Sequence, residues 1–220
     1  MKSIIFIAPP AAGKGTQSAL VCSEYGIPAI STGDILRNKA NEDSAEGREI
    51  KELLAAGKFV SDETIVKLLQ ERLSQDDCKN GYILDGFPRN VSQAKIYDEM
   101  LEKSNKELGI VILIDLDKEI GLKRIVGRLT CPKCNSIYNS LIEESMPKVE
   151  NTCDGCNIPL TRREDDNEET FETRYKTYVE KTAPLIDYYE SKGVLYRVES
   201  SKGKEATFNN IKKILGEVND

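Results

Sequence analysis

Histidine is missing from all 220 residues. That absence removes the commonest general base, the serine–histidine and cysteine–histidine nucleophile pairs, and the commonest metal ligand, so catalysis here must run on other groups. A long apolar run is missing too. The opening stretch Ile4 to Ala8 is too short for a signal-peptide core or a membrane span, so the expected location is the cytoplasm, with no membrane partner. There is no basic excess: 31 Lys and Arg stand against 37 Asp and Glu, a net charge of −6. That balance weighs against a general nucleic-acid binder, which neutralises phosphates with cations. Internal repeats and low-complexity tracts are absent, and RREDDNEET (162–170) is too mixed in sign for a disordered tail.

What remains is an ordinary soluble composition, 39% apolar and 31% charged, on a chain long enough for one buried core with an inserted subdomain. SIIFIA (3–8), YILDGF (82–87), GIVILIDL (109–116) and VLYRV (194–198) read as strands. Their runs are nearly continuous, as expected of strands covered on both faces. Helical patterns fill the intervals at about 13–25, 45–56, 62–74, 90–104, 118–128, 168–191 and 204–218. The alternation predicts an α/β fold with a parallel sheet flanked by helices. From about Leu129 to Arg163, cysteine, proline, asparagine and glycine replace the helical period and mark an insertion.

After the first strand comes APPAAGKGTQSAL, a strand, tight loop and helix in the context of a phosphate-binding loop. It departs from G-x-x-x-x-G-K-[ST]: Ala8 stands where glycine is usual and Gly15 follows Lys14. N–H groups from Ala11 to Thr16 (Ala11, Ala12, Gly13, Lys14, Gly15, Thr16) can turn on an anion, with the Lys14 ammonium on the β- and γ-phosphates and the Thr16 hydroxyl available to magnesium. The bland alternative is a lysine beside an ordinary turn. The alanines matter only if their positions need positive φ, where each would cost about 1 kcal/mol or more relative to glycine.

Six cysteines are present, and four of them form CPKC (Cys131, Cys134) and CDGC (Cys153, Cys156), 18 residues apart. That spacing suits four thiolates around zinc, with disulfides as the alternative. Four protein ligands leave no open position, so the zinc would be structural. A zinc ribbon touching nucleic acid would want basic and aromatic residues at the knuckles. Lys133 and Lys148 are offset by Glu143, Glu144, Glu150 and Asp154.

STGDILR (31–37), AAGKFVSDE (55–63) and LDGFPR (84–89), together with the loop, resemble the adenylate kinases, nucleoside monophosphate kinases that move a phosphoryl group from ATP to AMP. The likeness runs end to end. The family's loop, G-x-P-G-x-G-K-G-T, explains Gly15 and leaves Ala8 and Ala11 as substitutions. The resemblance implies a P-loop NTPase-type core (1–30, 61–127, 166–220), a helical AMP-binding insertion (31–60) and a zinc-pinned lid (128–165). It further implies ATP, AMP and ADP as ligands, Mg²⁺ with ATP, and a monomer.

By the same resemblance the ATP side takes Ala11 to Thr16, Arg124, Arg128, Ile137, Tyr138 and Lys204, the last through a backbone carbonyl. The AMP side takes Thr32, Arg37, the backbone of Lys58, Phe59 and Val60, then Gly86, Phe87, Pro88, Arg89, Gln93, Arg163 and Arg174. Lys14, Arg89, Arg124, Arg163 and Arg174 carry the catalytic charge, and Asp85 holds a magnesium-bound water. The residues by themselves leave other roles open. Thr32 could cap a helix, Gln93 could complete a capping box from Asn90, Arg163 and Arg174 could pair with Asp165, Asp166 and Glu168, and Asp85 could merely form a strand-end turn. Spacing of four puts Arg124 and Arg128 on one helix face. Rival functions are a sister kinase using GTP, UMP or CMP, and a non-catalytic zinc and nucleotide sensor.

Overall fold

The computed structural model describes residues 3–55, 60–134, 136–162 and 166–219. Within these, five strands form one sheet: β1 (Ile4–Ile7), β2 (Ala29–Ser31), β3 (Ile83–Asp85), β4 (Ile110–Asp115) and, past a separate two-stranded hairpin of β5 (Arg128–Thr130) and β6 (Ile137–Asn139), β7 (Leu195–Glu199). Their order is β2-β3-β1-β4-β7, and every pairing is parallel. The central strands are buried on both faces. Ile5, Ile7, Leu84, Val111 and Leu113 pack one way with Leu69, Tyr97 and Tyr189, whereas Ile4, Phe6, Ile83, Ile112 and Ile114 pack the other way with Val21, Ile211 and Leu215. Two cores sharing one sheet require apolar side chains at successive positions, hence the unbroken runs.

The helices are α1 (Lys14–Tyr25), α2 (Thr32–Ala40), α3 (Ala45–Ala55), α4 (Asp62–Leu73), α5 (Val91–Lys103), α6 (Lys118–Val126), α7 (Glu168–Thr177), α8 (Pro184–Glu190) and α9 (Lys204–Asn219). Three features differ from the sequence reading. Strand β2 is three residues at the sheet edge, too short to stand out by pattern. The helix expected over 118–128 stops at Val126, because the chain turns at Gly127, where an added Cβ would lie 2.1 Å from Asn139 Oδ1. Asn139 Nδ2 donates instead to the Arg124 carbonyl at 3.0 Å, closing the helix end. Arg128 therefore starts β5 and does not share a helix face with Arg124.

The third difference lies in the span 168–191. It is not one helix: a π turn over Tyr178–Thr182 separates α7 from α8. Pro184 has no N–H to donate, and the chain widens so that Ala183 N–H reaches the Tyr178 carbonyl at 2.8 Å.

Two segments stand off the sheet. Helices α2 and α3 pack on α4 through Ile50, Val60 and Leu68 with Ile35, Leu36 and Leu53. The β5–β6 hairpin carries the cysteine knuckles over a core that, among the described residues, is Leu129, Cys131, Cys153 and Leu160, with Tyr138, Cys156 and Ile158 against it. No helix among the described residues is long and apolar enough to cross a membrane.

Candidate active site

Parallel strands deliver their C-terminal ends to one edge of the sheet, where α/β proteins bind ligands. At that edge lies a cavity of about 1510 Å³. Its floor is the loop from Ala8 to Thr16, leading into α1. Gly13 precedes the helix with φ 87° and no side chain caps it; the first internal bond is Gln17 N–H to the Gly13 carbonyl at 3.0 Å. The N–H groups of the first turn thus have no helical acceptor, and they border the cavity with the positive end of the helix dipole, a place made for an anion. Ala11 holds φ 67°, a left-handed conformation that alanine adopts at a cost, whereas Ala8 keeps negative φ.

Cations surround this floor. Lys14 Nζ lies 2.7 Å from Asp85 Oδ1 at the end of β3. That carboxylate supplies negative charge facing the ammonium. Arg124, at the end of α6, donates to the Ser200 carbonyl (2.6 Å), Ser200 Oγ (3.3 Å) and the Ala11 carbonyl (3.3 Å). Burial lowers its pKa from the ordinary guanidinium value. Arg128 is forked onto Asp166, with Nε 2.7 Å from Oδ2 and Nη2 on Oδ1; the Asp166 side chain is 1% exposed. Arg89 and, from α7, Arg174 complete the ring, beside Tyr178, whose hydroxyl is pushed up to about 12 by burial and by the Asp115 charge. That phenol stays protonated at neutral pH and can donate.

The β5–β6 hairpin forms the opposite wall, where Ile137, Tyr138 and Asn139 line the cavity. Tyr138 is fixed by its hydroxyl, which accepts from Asp154 N–H at 3.0 Å and lies 3.6 Å from Cys153 Sγ. The sulfurs of Cys131, Cys134, Cys153 and Cys156 all lie within 4.8 Å of one another, with Cys134 and Cys153 at 3.7 Å. Zinc–sulfur bonds of about 2.3 Å in a tetrahedron put sulfurs roughly 3.8 Å apart, so the cluster fits zinc. At the lid root, Arg162 donates to the Val126 carbonyl (2.6 Å) and Ser140 Oγ (3.1 Å).

A strand–loop–helix with uncapped N–H groups, arginines bordering one cavity and a hairpin bearing four clustered cysteines, all on a parallel sheet, agree with what comparison finds. The family described as adenylate kinase matches residues 6–194. The chain belongs to the adenylate kinase family. It is 43% identical to an adenylate kinase of Thermotoga petrophila over 98% of both chains. It is 44% identical to one of Archaeoglobus fulgidus, covering 98% of this chain and 99% of that one. With an adenylate kinase of Clostridium tetani it shares 42% identity over 99% of this chain and all of the relative. The reaction is reversible phosphoryl transfer from MgATP to AMP, giving two ADP.

Of the residues expected at this adenylate kinase site, the cavity gathers Ala11 to Thr16, Gly86, Pro88, Arg89, Arg124, Arg128, Ile137, Tyr138, Arg174 and Lys204. Thr32, Arg37, Val60, Phe87 and Gln93 do not border it. Thr32 is not the cap of α2; Ser31 is, and Thr32 Oγ1 donates to the Gly86 carbonyl at 3.4 Å. Arg37 pairs with Asp34 at 2.5 Å on an exposed turn. Gln93 N–H does bond the Asn90 cap, but its side chain accepts from Arg89 N–H (2.8 Å) and donates to Asp62 (2.8 Å). Lys58, Phe59 and Arg163 lie outside the described residues. The Lys204 carbonyl already accepts from Gln17 Nε2 at 3.0 Å. Sequence reasoning missed Gln17, Ser200, Tyr178 and Thr182, which line the cavity without belonging to a phosphate motif. The proline at 184 was the available signal for the last two.

Proposed function

We propose that Lys14, Arg89, Arg124, Arg163 and Arg174 supply the positive charge for phosphoryl transfer between ATP on the phosphate loop and AMP on the Gly86–Arg89 side, with Arg128, Ile137, Tyr138 and Lys204 on the ATP side and Thr32, Arg37, Lys58 to Val60 and Gln93 on the AMP side. The observation that carries this reading is the single cavity on which loop and arginines converge. At about 1510 Å³ it exceeds the roughly 300–1,000 Å³ of one small-ligand pocket and has room for two nucleotides.

In the reaction an α-phosphate oxygen of AMP bonds the γ-phosphorus while the bond from that phosphorus to the β,γ-bridging oxygen breaks, and ADP departs from each side. The transition state is loose, so positioning and neutralisation matter more than a base, and a chain without histidine can perform it. Lys14 would exchange Asp85 for phosphate oxygens, leaving that carboxylate to hold the water shell of the magnesium that arrives with ATP. Closing of the 128–165 lid and the 31–60 insertion would exclude water and protect ATP from hydrolysis.

The lid metal is zinc in this reading, held by the four cysteines in a structural role, since four protein ligands close the coordination shell. A monomer in the cytoplasm is the working unit in this reading, as the family resemblance implies, and light scattering tests the monomer. Assay of ATP and GTP against AMP, GMP, UMP and CMP, scored for diphosphate product, tests the substrate assignment. ATP with AMP should be turned over fastest. Preference for GTP, or for a pyrimidine acceptor, would overturn it.

A further inference from the structure

The π turn interrupts a helix that would otherwise run on, and it does so against the cavity. Arg174, Tyr178 and Thr182, spaced by four, all border the cavity. In a regular helix, at 3.6 residues per turn, a residue eight places on is turned about 80° off the starting face. The wider turn closed by Ala183 N–H on the Tyr178 carbonyl cancels that drift and brings Thr182 back to the side of Arg174. There Thr182 Oγ1 donates to the Arg89 carbonyl at 3.0 Å, across 93 positions of sequence.

Among the described residues Arg89 makes two other hydrogen bonds, and both are local. Its N–H donates to Gln93 Oε1 at 2.8 Å and its Nε to the Gly86 carbonyl at 2.9 Å. Those two bonds shape the loop but do not fix it relative to α7. The Thr182 hydroxyl does, joining the loop that carries one arginine to the helix that carries another. We propose that Thr182, delivered by the π turn, is a positioning residue that sets the Arg89 backbone against the helix bearing Arg174. The proposal rests on the reading that Arg89 grips phosphate. A shift of about 1 Å between reacting groups and their charge partners is enough to slow an oriented reaction strongly, so one hydroxyl at this junction acts on rate.

The test compares Thr182→Val, which keeps the branched shape and loses the hydroxyl, with Thr182→Ser, which keeps the hydroxyl. Thr182→Val should lower kcat about three- to tenfold, as expected for one hydrogen bond felt in the transition state, with KM for ATP and the melting temperature little changed. Thr182→Ser should restore kcat. In an Arg89→Ala background, Thr182→Val should cause no further fall. Unchanged kinetics in Thr182→Val, with or without a lower melting temperature, would overturn the proposal, as would a serine variant as slow as the valine one. Full activity in Arg89→Ala alone would instead remove the underlying reading of Arg89.

Discussion

The two walls of the cavity obtain their rigidity in opposite ways. On the phosphate-loop side, β1 is almost fully buried, with Ile4 to Ile7 between 0% and 4% exposed, and the loop grows from a strand that cannot move. On the lid side, Leu129 and Leu160 are nearly the whole apolar core, while Ile137, Leu141, Met146 and Val149 stand 46–63% exposed. A unit that small buries little apolar surface to hold itself together, and a metal on its four clustered cysteines would do what the sheet does opposite.

Breaking the lid alone should have the largest effect. Purified protein should contain about one zinc per chain by metal analysis, and Cys153→Ser should lose it. Zinc contributes about 10–16 kcal/mol to the folding of isolated finger peptides, so the variant should lose lid structure and melt well below the parent, while strands β1 to β4 keep their amide protection. An equally stable, zinc-free protein would end the contrast between the walls.

Next comes the opposite wall. Lys14→Ala removes a cation aimed at the anion site without touching the buried strand, so kcat should fall by about 10²–10³ or more, with far-UV circular dichroism and melting nearly unchanged. Near-normal turnover would refute the phosphate-loop assignment. Asp166→Asn should have a smaller effect at the lid root. It removes the buried carboxylate that holds Arg128, a loss of about 2 kcal/mol, and the partner is only 18% exposed. The melting temperature should fall by several degrees, and the variant should lose activity as Arg128 goes astray. An Asn variant that melts with the parent would mean the pair contributes nothing.

The same contrast decides what could be read in advance. Strands buried on both faces announce themselves by unbroken apolar runs, and the two CxxC pairs announce their cluster by spacing, so the sheet, the strand–loop–helix at its edge and the four-cysteine cluster were legible. Features made by long-range contact were not. That Asn139 ends α6 at Gly127, that the Lys204 carbonyl is taken by Gln17, and that Asp85 faces Lys14 are facts about residues 12 to 187 positions apart. Capping residues could be named from the local pattern, but Ser31 rather than Thr32 caps α2 because the choice turns on one residue of register. The π turn needed knowledge of where Pro184 would leave its unmatched carbonyl.

The smallest effect sharpens the comparison most. Ala11 sits at φ 67°, where alanine costs roughly 1–2 kcal/mol relative to its preferred regions and glycine costs nothing. Ala11→Gly relieves that strain but adds freedom to the unfolded chain, which returns about 0.4–1 kcal/mol of it. The net should be a stabilisation of about 0.5–1 kcal/mol, a rise of roughly 1–4 °C in melting temperature for a chain of this size. KM for ATP should stay within about twofold, because the turn already has the shape that glycine would adopt and Arg124 holds its carbonyl. Ala8→Gly is the internal control: with negative φ there is no strain to relieve, so it should destabilise slightly. If Ala11→Gly behaved like Ala8→Gly, the rigid wall would be carrying no strain, and its tolerance of alanine would need another cause.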